Sequence, residues 1–208
     1  MSNNRIYLYP VWLRIWHGVN ALCIILLGVT GISMQYTNID NPLIQFNNAV
    51  SIHNFVGVLT SISYIFYFIA NFYSNNYKHY KFELKGLVGR LMKQGEYYVI
   101  GYLKGLTKPF PISLKEKFNP LQRLSYFATM YMLVPAVVIT GTALLYPEMI
   151  LERFYNMSGI KITAFLHSLA GFFILIFVII HLYVITIGKN PLKNFKSIID
   201  GYHDAEGH

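Results

Sequence analysis

The amino-acid sequence predicts an all-α integral membrane protein: a four-helix bundle with a long cytoplasmic loop that contains an amphipathic helix. Three observations predict it. Of 208 residues, 54% are hydrophobic and only 12% charged, against about 25% charged in a soluble domain. The apolar residues gather into four stretches, and a bilayer core of about 30 Å needs roughly 20 helical residues to cross. The basic residues fall between those stretches and on only some of the connectors.

The spans are expected over about 12–34, 52–73, 121–146 and 164–188. Pro135 lies within the third and predicts a kink, because it removes a backbone donor. The first apolar stretch is long and lacks a small-residue cleavage site, so it reads as a retained helix rather than a signal peptide. The whole chain, 1–208, is then expected to be one transmembrane domain; its length does not suit a soluble multi-domain reading.

Charge on the connectors orients the spans. The segment 35–51 holds no Lys or Arg, and 147–163 holds only Arg153 and Lys161. The loop 74–120 carries nine Lys and Arg, from Lys78 to Lys117, and Lys189, Lys193 and Lys196 follow the fourth span. Positive residues concentrate on the cytoplasmic side. Both termini and the long loop are therefore expected in the cytoplasm of a bacterial inner membrane. Within that loop Leu84, Leu87, Val88 and Leu91 recur at helical spacing, with Lys81, Lys85, Arg90 and Lys93 around them. This predicts a basic amphipathic helix on the inner leaflet; a solvated loop with chance periodicity is the plain alternative. The segment 97–103 is too short to be a fifth span.

A net charge of +8 would suit nucleic acid only on a polar folded surface, so nucleic acid is excluded as a partner and the lipid bilayer takes its place. The single cysteine, Cys23, excludes an internal disulfide and the Cys-x-x-Cys-His pattern of covalently attached haem.

Ionisable side chains inside spans are costly and usually functional. Four histidines stand there: His17, His53, His167 and His181. His79, His203 and His208 lie in polar segments and read as solvated. His17 and His181 are both roughly 7–10 Å below the cytoplasmic edge at 1.5 Å per residue, while His53 and His167 both lie near the outer edge. The fourteen residues from His167 to His181 make nearly four full turns, so both project from one helix face about 21 Å apart. That distance excludes one shared metal ion and suits two stacked cofactors. Imidazole binds haem iron from either axial side. Two haems b are therefore expected, the inner on His17 and His181 and the outer on His53 and His167. The plain alternative makes these histidines buried hydrogen-bonding residues or helix caps. Non-haem iron sites want carboxylates, and the spans contain no Asp or Glu. Gly57 and Gly171, one turn after His53 and His167, would let a flat ring approach, as would Gly28, Gly31 and Gly141; small residues also simply help membrane helices pack. Arg14, one turn from His17, suits a haem propionate or snorkels to the interface.

The stretch Tyr9-Pro-Val-Trp-Leu-Arg-Ile-Trp-His17, the start of the second span at Ile52-His53-Asn54, Phe118-Asn-Pro-Leu-Gln-Arg123, and His167-x13-His181-Leu-Tyr resemble the bacterial di-haem cytochrome b subunits of respiratory nickel-iron hydrogenases, formate dehydrogenases and thiosulfate reductases. Phe118-Asn-Pro-Leu-Gln and Asn194-Phe-Lys…Gly201-Tyr-His look most like the thiosulfate-reductase branch. The resemblance implies a membrane anchor that conducts electrons between the quinone pool and a periplasmic redox subunit of molybdenum/iron-sulfur, nickel-iron or multihaem c-type. It also implies quinone near the inner haem, close to Asn119 with Gln122 nearby. Asn119-Pro120 is equally an ordinary helix-start signal. Relatives with a Thr-Gly-His segment after the fourth span differ from this chain, which reads Thr186-Ile-Gly188-Lys189. Two rival functions remain: a stand-alone cytochrome b561-like quinone/superoxide oxidoreductase, and a haem-free membrane anchor.

Overall fold

The computed structural model describes residues 5–36, 38, 40–81, 83–113, 116–187 and 192–204. Lys115, Gly188, Lys189 and His208, on which expectations above bear, lie outside them. Among the described residues four helices are long and apolar enough to cross a membrane. They are α1 (Val11–Tyr36), α2 (Phe46–Tyr73), the pair α4 (Pro120–Ala128) and α5 (Val134–Leu145) joined without a break, and α6 (Gly159–Thr186). α2 begins at Phe46, earlier than the apolar run at 52. Hydropathy detects only the lipid-facing part of a helix. The polar turn before it is fixed by Ser33, whose hydroxyl accepts from Ile44 N at 3.0 Å and donates to Ile44 O at 3.1 Å.

Between α4 and α5 the helix widens into one π turn, Thr129–Leu133. It ends just before Pro135, where the missing N–H would break an α-helical ladder. A π turn absorbs such a defect inside a continuous helix.

The spans are built inside out relative to a soluble protein. Ile15, Leu22, Phe55, Ile62, Phe165, Phe172 and Ile179 point outward, while Thr30, Thr60, Asn71 and Thr129 are buried. Helices in lipid satisfy their own backbone, so their outer faces can be purely apolar and polar side chains turn inward.

The chain divides into two compact units. The first comprises Met1–Ile15, Ala70–Ala128 and Phe177–His208. It contains α3 (Leu87–Glu96), which continues through a π turn to Gly101. The amphipathic helix exists, but Leu84 precedes it, and its outward apolar residues are Val88 and Met92 while Gln94 and Tyr97 are buried. The same unit ties the two chain ends together. β1 (Arg5–Tyr7) pairs antiparallel with β4 (Tyr202–Asp204), which follows α7 (Lys193–Asp200), and Arg5 forms an ion pair with Asp200. His203, expected in solvent, is buried on β4, because that strand pairs with the far end of the chain. The second unit comprises Trp16–Ile69 and Thr129–Ile176. In it Trp16 stacks on Tyr67 at 4.3 Å and donates its indole N–H to Ser63 O at 3.0 Å, packing α1 on α2. A short hairpin, β2 (Arg153–Phe154) with β3 (Met157–Ser158), precedes α6.

Candidate functional site

All four span histidines are half-buried. In the second unit His53 on α2 and His167 on α6 face each other, with ring centroids 6.1 Å apart and planes at 72°. A metal–imidazole bond is about 2.0 Å and a ring centroid lies about 1.15 Å behind the ligating nitrogen, so two imidazoles on opposite sides of one iron put their centroids about 6.3 Å apart. The observed spacing agrees to a few tenths of an ångström.

Each ring is held from behind in the same way. His53 Nδ1 lies 2.9 Å from Thr30 Oγ1, and that hydroxyl donates to Leu26 O at 2.7 Å. His167 Nδ1 lies 3.0 Å from Thr140 Oγ1, which donates to Ala136 O at 2.6 Å. A hydroxyl whose proton is spent on a carbonyl accepts from its other neighbour. Both Nδ1 atoms therefore carry the proton, and both Nε2 atoms carry the lone pair that a metal needs.

Glycines make room beside the rings. A Cβ at Gly141 would stand 3.0 Å from His167 Cε1, and one at Gly31 would stand 3.7 Å from His53 Cε1. At Gly57 and Gly171 a Cβ would meet nothing within 4 Å, so the faces one turn beyond each histidine are open to a flat ring. Gly28 lets Leu175 approach, at 2.7 Å from the position of an added Cβ. Among the described residues no three His, Cys, Asp or Glu side chains gather to hold a bare metal ion. The facing imidazoles of His53 and His167 would hold haem, and haem there would supply reversible one-electron chemistry.

His181, in the first unit, stacks on Phe177 at 5.6 Å, and its Nδ1 lies 3.4 Å from Tyr126 Oη. His17 stands near the start of α1. Arg14 donates to the carbonyl of Ile199 at the end of α7, while its Nε is buried without a hydrogen-bond partner among the described residues. Asn119 and Gln122 form a reciprocal cap at the start of α4. Gln122 N donates to Asn119 Oδ1 at 3.0 Å, and Asn119 N donates to Gln122 Oε1 at 3.3 Å. This is the capping-box arrangement, so the helix-start signal in the sequence is realised. Asn119 Nδ2 also donates to Tyr98 Oη at 2.6 Å.

Three participants escaped the sequence reading. Thr30 and Thr140 were visible only as the two Thr-Gly steps of the chain. Lys117, one of the nine basic residues of the loop 74–120, is only 2% exposed. Its amine donates to Asn76 Oδ1 at 3.3 Å and lies 4.7 Å from the centre of the Tyr9 ring. Burial pushes its pKa down to about 8. Burial likewise pushes the Tyr98 phenol up to about 12, against the pull of its hydrogen bonds with Asn119 and Gln94.

Four helices able to cross a membrane and a facing pair of imidazoles fit a membrane cytochrome of the b type, which binds haem b without covalent attachment and carries electrons. The chain belongs to the prokaryotic cytochrome b561 family, whose sequence profile matches residues 8–201. It is also 33% identical over 199 residues to the putative cytochrome YdhU of Escherichia coli (strain K12), covering 96% of this chain and 75% of that protein. The haem-free anchor is not retained.

Proposed function

We propose that the chain conducts electrons through the bacterial cytoplasmic membrane between quinone and a redox partner at the opposite face. The observation that carries this is the His53–His167 pair, set 6.1 Å apart with both Nδ1 atoms anchored. Haem bound there supplies reversible one-electron transfer. The residues do the rest: His53 and His167 ligate, Thr30 and Thr140 orient them, and the apolar spans exclude water. A second haem uses His17 and His181. That pairing rests on position, since His17 is roughly 9 Å into α1 and His181 roughly 7.5 Å before the end of α6 at 1.5 Å per residue. Arg14 holds a propionate of the inner haem; its buried Nε is the donor that role requires. Orientation follows the basic residues, with both termini and the loop 74–120 in the cytoplasm.

Quinone docks on the first unit beside Asn119 and Gln122. Support comes from Gln94, which is buried and whose Oε1 has no donor among the described residues, beside Tyr98, itself held by Asn119. Such an acceptor suits a quinol O–H.

Two readings of the opposite end are carried. The family description, cytochrome b561, favours a self-sufficient quinone oxidoreductase that passes electrons to a small oxidant such as superoxide. The other is a subunit that anchors a periplasmic redox protein of molybdenum/iron-sulfur, nickel-iron or multihaem c-type at the short outer loops. Purified chain in detergent is expected to show a reduced b-type α-band, two haems per chain, and reduction by a quinol analogue. Oxidation by superoxide without any added protein selects the first reading; a redox subunit that co-purifies in stoichiometric amount selects the second. A chain that folds in detergent yet shows no b-type spectrum with haem supplied would refute both.

A further inference from the structure

The Thr-Gly step occurs twice in the chain, at Thr30-Gly31 and Thr140-Gly141, and both copies do the same thing. Each lies in a span preceding the one that carries the histidine. In each the threonine hydroxyl receives the imidazole Nδ1–H, at 2.9 Å for His53 and 3.0 Å for His167. In each the following glycine faces the same ring's Cε1. The hydroxyl's own proton is committed to a backbone carbonyl one turn earlier, at 2.7 and 2.6 Å, so it is locked as an acceptor. Thr30 is 1% exposed, which shields that bond from water. At Gly141 the missing Cβ supplies room for the ring, since an added one would stand 3.0 Å from it, whereas at Gly31 an added Cβ would make an ordinary contact at 3.7 Å.

We propose that Thr30 and Thr140 are positioning residues that fix the ring orientation of His53 and His167 and hold the potential of the outer haem down. This rests on the reading that haem is bound between those two histidines. A ligating imidazole that donates its second N–H is a stronger base toward the metal. Greater basicity favours the more positive oxidation state of the iron, so the reduction potential falls. The two threonines act from opposite sides on one haem, and their effects act in the same direction. At His181 the group facing Nδ1 is a phenol, that of Tyr126, at 3.4 Å.

The test is a potentiometric titration of the purified full-length chain, followed at the α-band, for Thr30→Val, Thr140→Val, the double variant, and Thr30→Ser and Thr140→Ser. Valine keeps the shape and removes the hydroxyl acceptor, leaving the backbone of Leu27 beside His53 and of Val137 beside His167; serine keeps the hydroxyl. One haem component is expected to move to higher potential in each valine variant and further in the double variant. The other component should stay in place, and the serine variants should titrate like the parent. The low-temperature EPR signal of the same haem should shift with the valine changes. An outer haem that is present with an unchanged midpoint in the double valine variant overturns the proposal. Loss of that haem in the valine variants but not the serine variants supports it, because the hydroxyl is then what holds the ligand. Equal loss in valine and serine variants overturns it. The underlying haem reading fails separately: its failure is a His53→Ala chain that keeps both haems.

Discussion

Replacing Lys117 by methionine is expected to stabilise the protein at neutral pH and to abolish a titration near pH 8. The amine is almost fully enclosed, and its contacts are an amide oxygen and the faces of Tyr9 and Phe118. Desolvation lowers its pKa from 10.5 to about 8, which corresponds to a cost of about 3 kcal/mol for keeping the charge in the fold. The unfolded chain holds this proton up to about pH 10.5; the folded chain releases it near 8. Below pH 8 both states are protonated and the whole cost is present. Between 8 and 10.5 the unfolded state binds more protons, so stability rises with pH. Methionine fills similar space without charge. Losing the hydrogen bond to Asn76 returns about 1 kcal/mol, leaving a net gain of about 2 kcal/mol at pH 7. The assay is the pH titration of lysine side-chain carbon resonances in detergent micelles, with Lys117 assigned by its disappearance in the variant, together with thermal midpoints at pH 7 and 9.5. A Lys117 resonance that titrates alongside the other lysines near 10.5 would refute the reasoning. So would a variant that is less stable than the parent at pH 7.

The remaining predictions concern the cap, the cradle and the ligands. Asn119→Ala should cost about 1 kcal/mol through the lost cap and slow reduction by quinol. Asn119→Asp should restore stability but not the rate, because it keeps the acceptor for Gln122 N and loses the donor to Tyr98; equal recovery of both would remove Asn119 from the quinone site. Gly141→Ala should weaken outer-haem retention far more than Gly31→Ala, since the added methyl meets His167 at 3.0 Å in one case and His53 at 3.7 Å in the other. Haem per chain after gel filtration measures this. His167→Ala should remove the outer haem and spare the inner one; equal loss of both from a folded chain would contradict the pairing. Gly201→Ala should destabilise by more than about 1 kcal/mol, because Gly201 sits at φ 87° and a Cβ would lie 2.8 Å from the Tyr7 ring and 2.9 Å from Tyr9 O. An unchanged thermal midpoint would count against that strain.

Half of the site is legible in the sequence. His53 and His167 were paired from their equal depth, which needs only the helical rise, and the structure brings their rings together. The threonines were not found, because Thr30 and His53 lie 23 positions apart and no local rule links a hydroxyl in one span to an imidazole in the next. The polarity of their neighbours in sequence places His203 and Lys117 in solvent. Their burial comes from the β1–β4 pairing of the chain ends and from the packing of the segment before α4 against Tyr9 and Asn76.

Hydropathy and spacing alone settle that four helices cross a membrane and which histidines they carry. A helix in lipid makes its hydrogen bonds within one continuous segment, so its existence is written locally. The tautomer of each imidazole, the room beside it, the cap that occupies Asn119 and the enclosure of Lys117 depend on groups far apart in the chain. Those are set by distances of about 3 Å between side chains on different elements, and such distances exist only once the helices have packed.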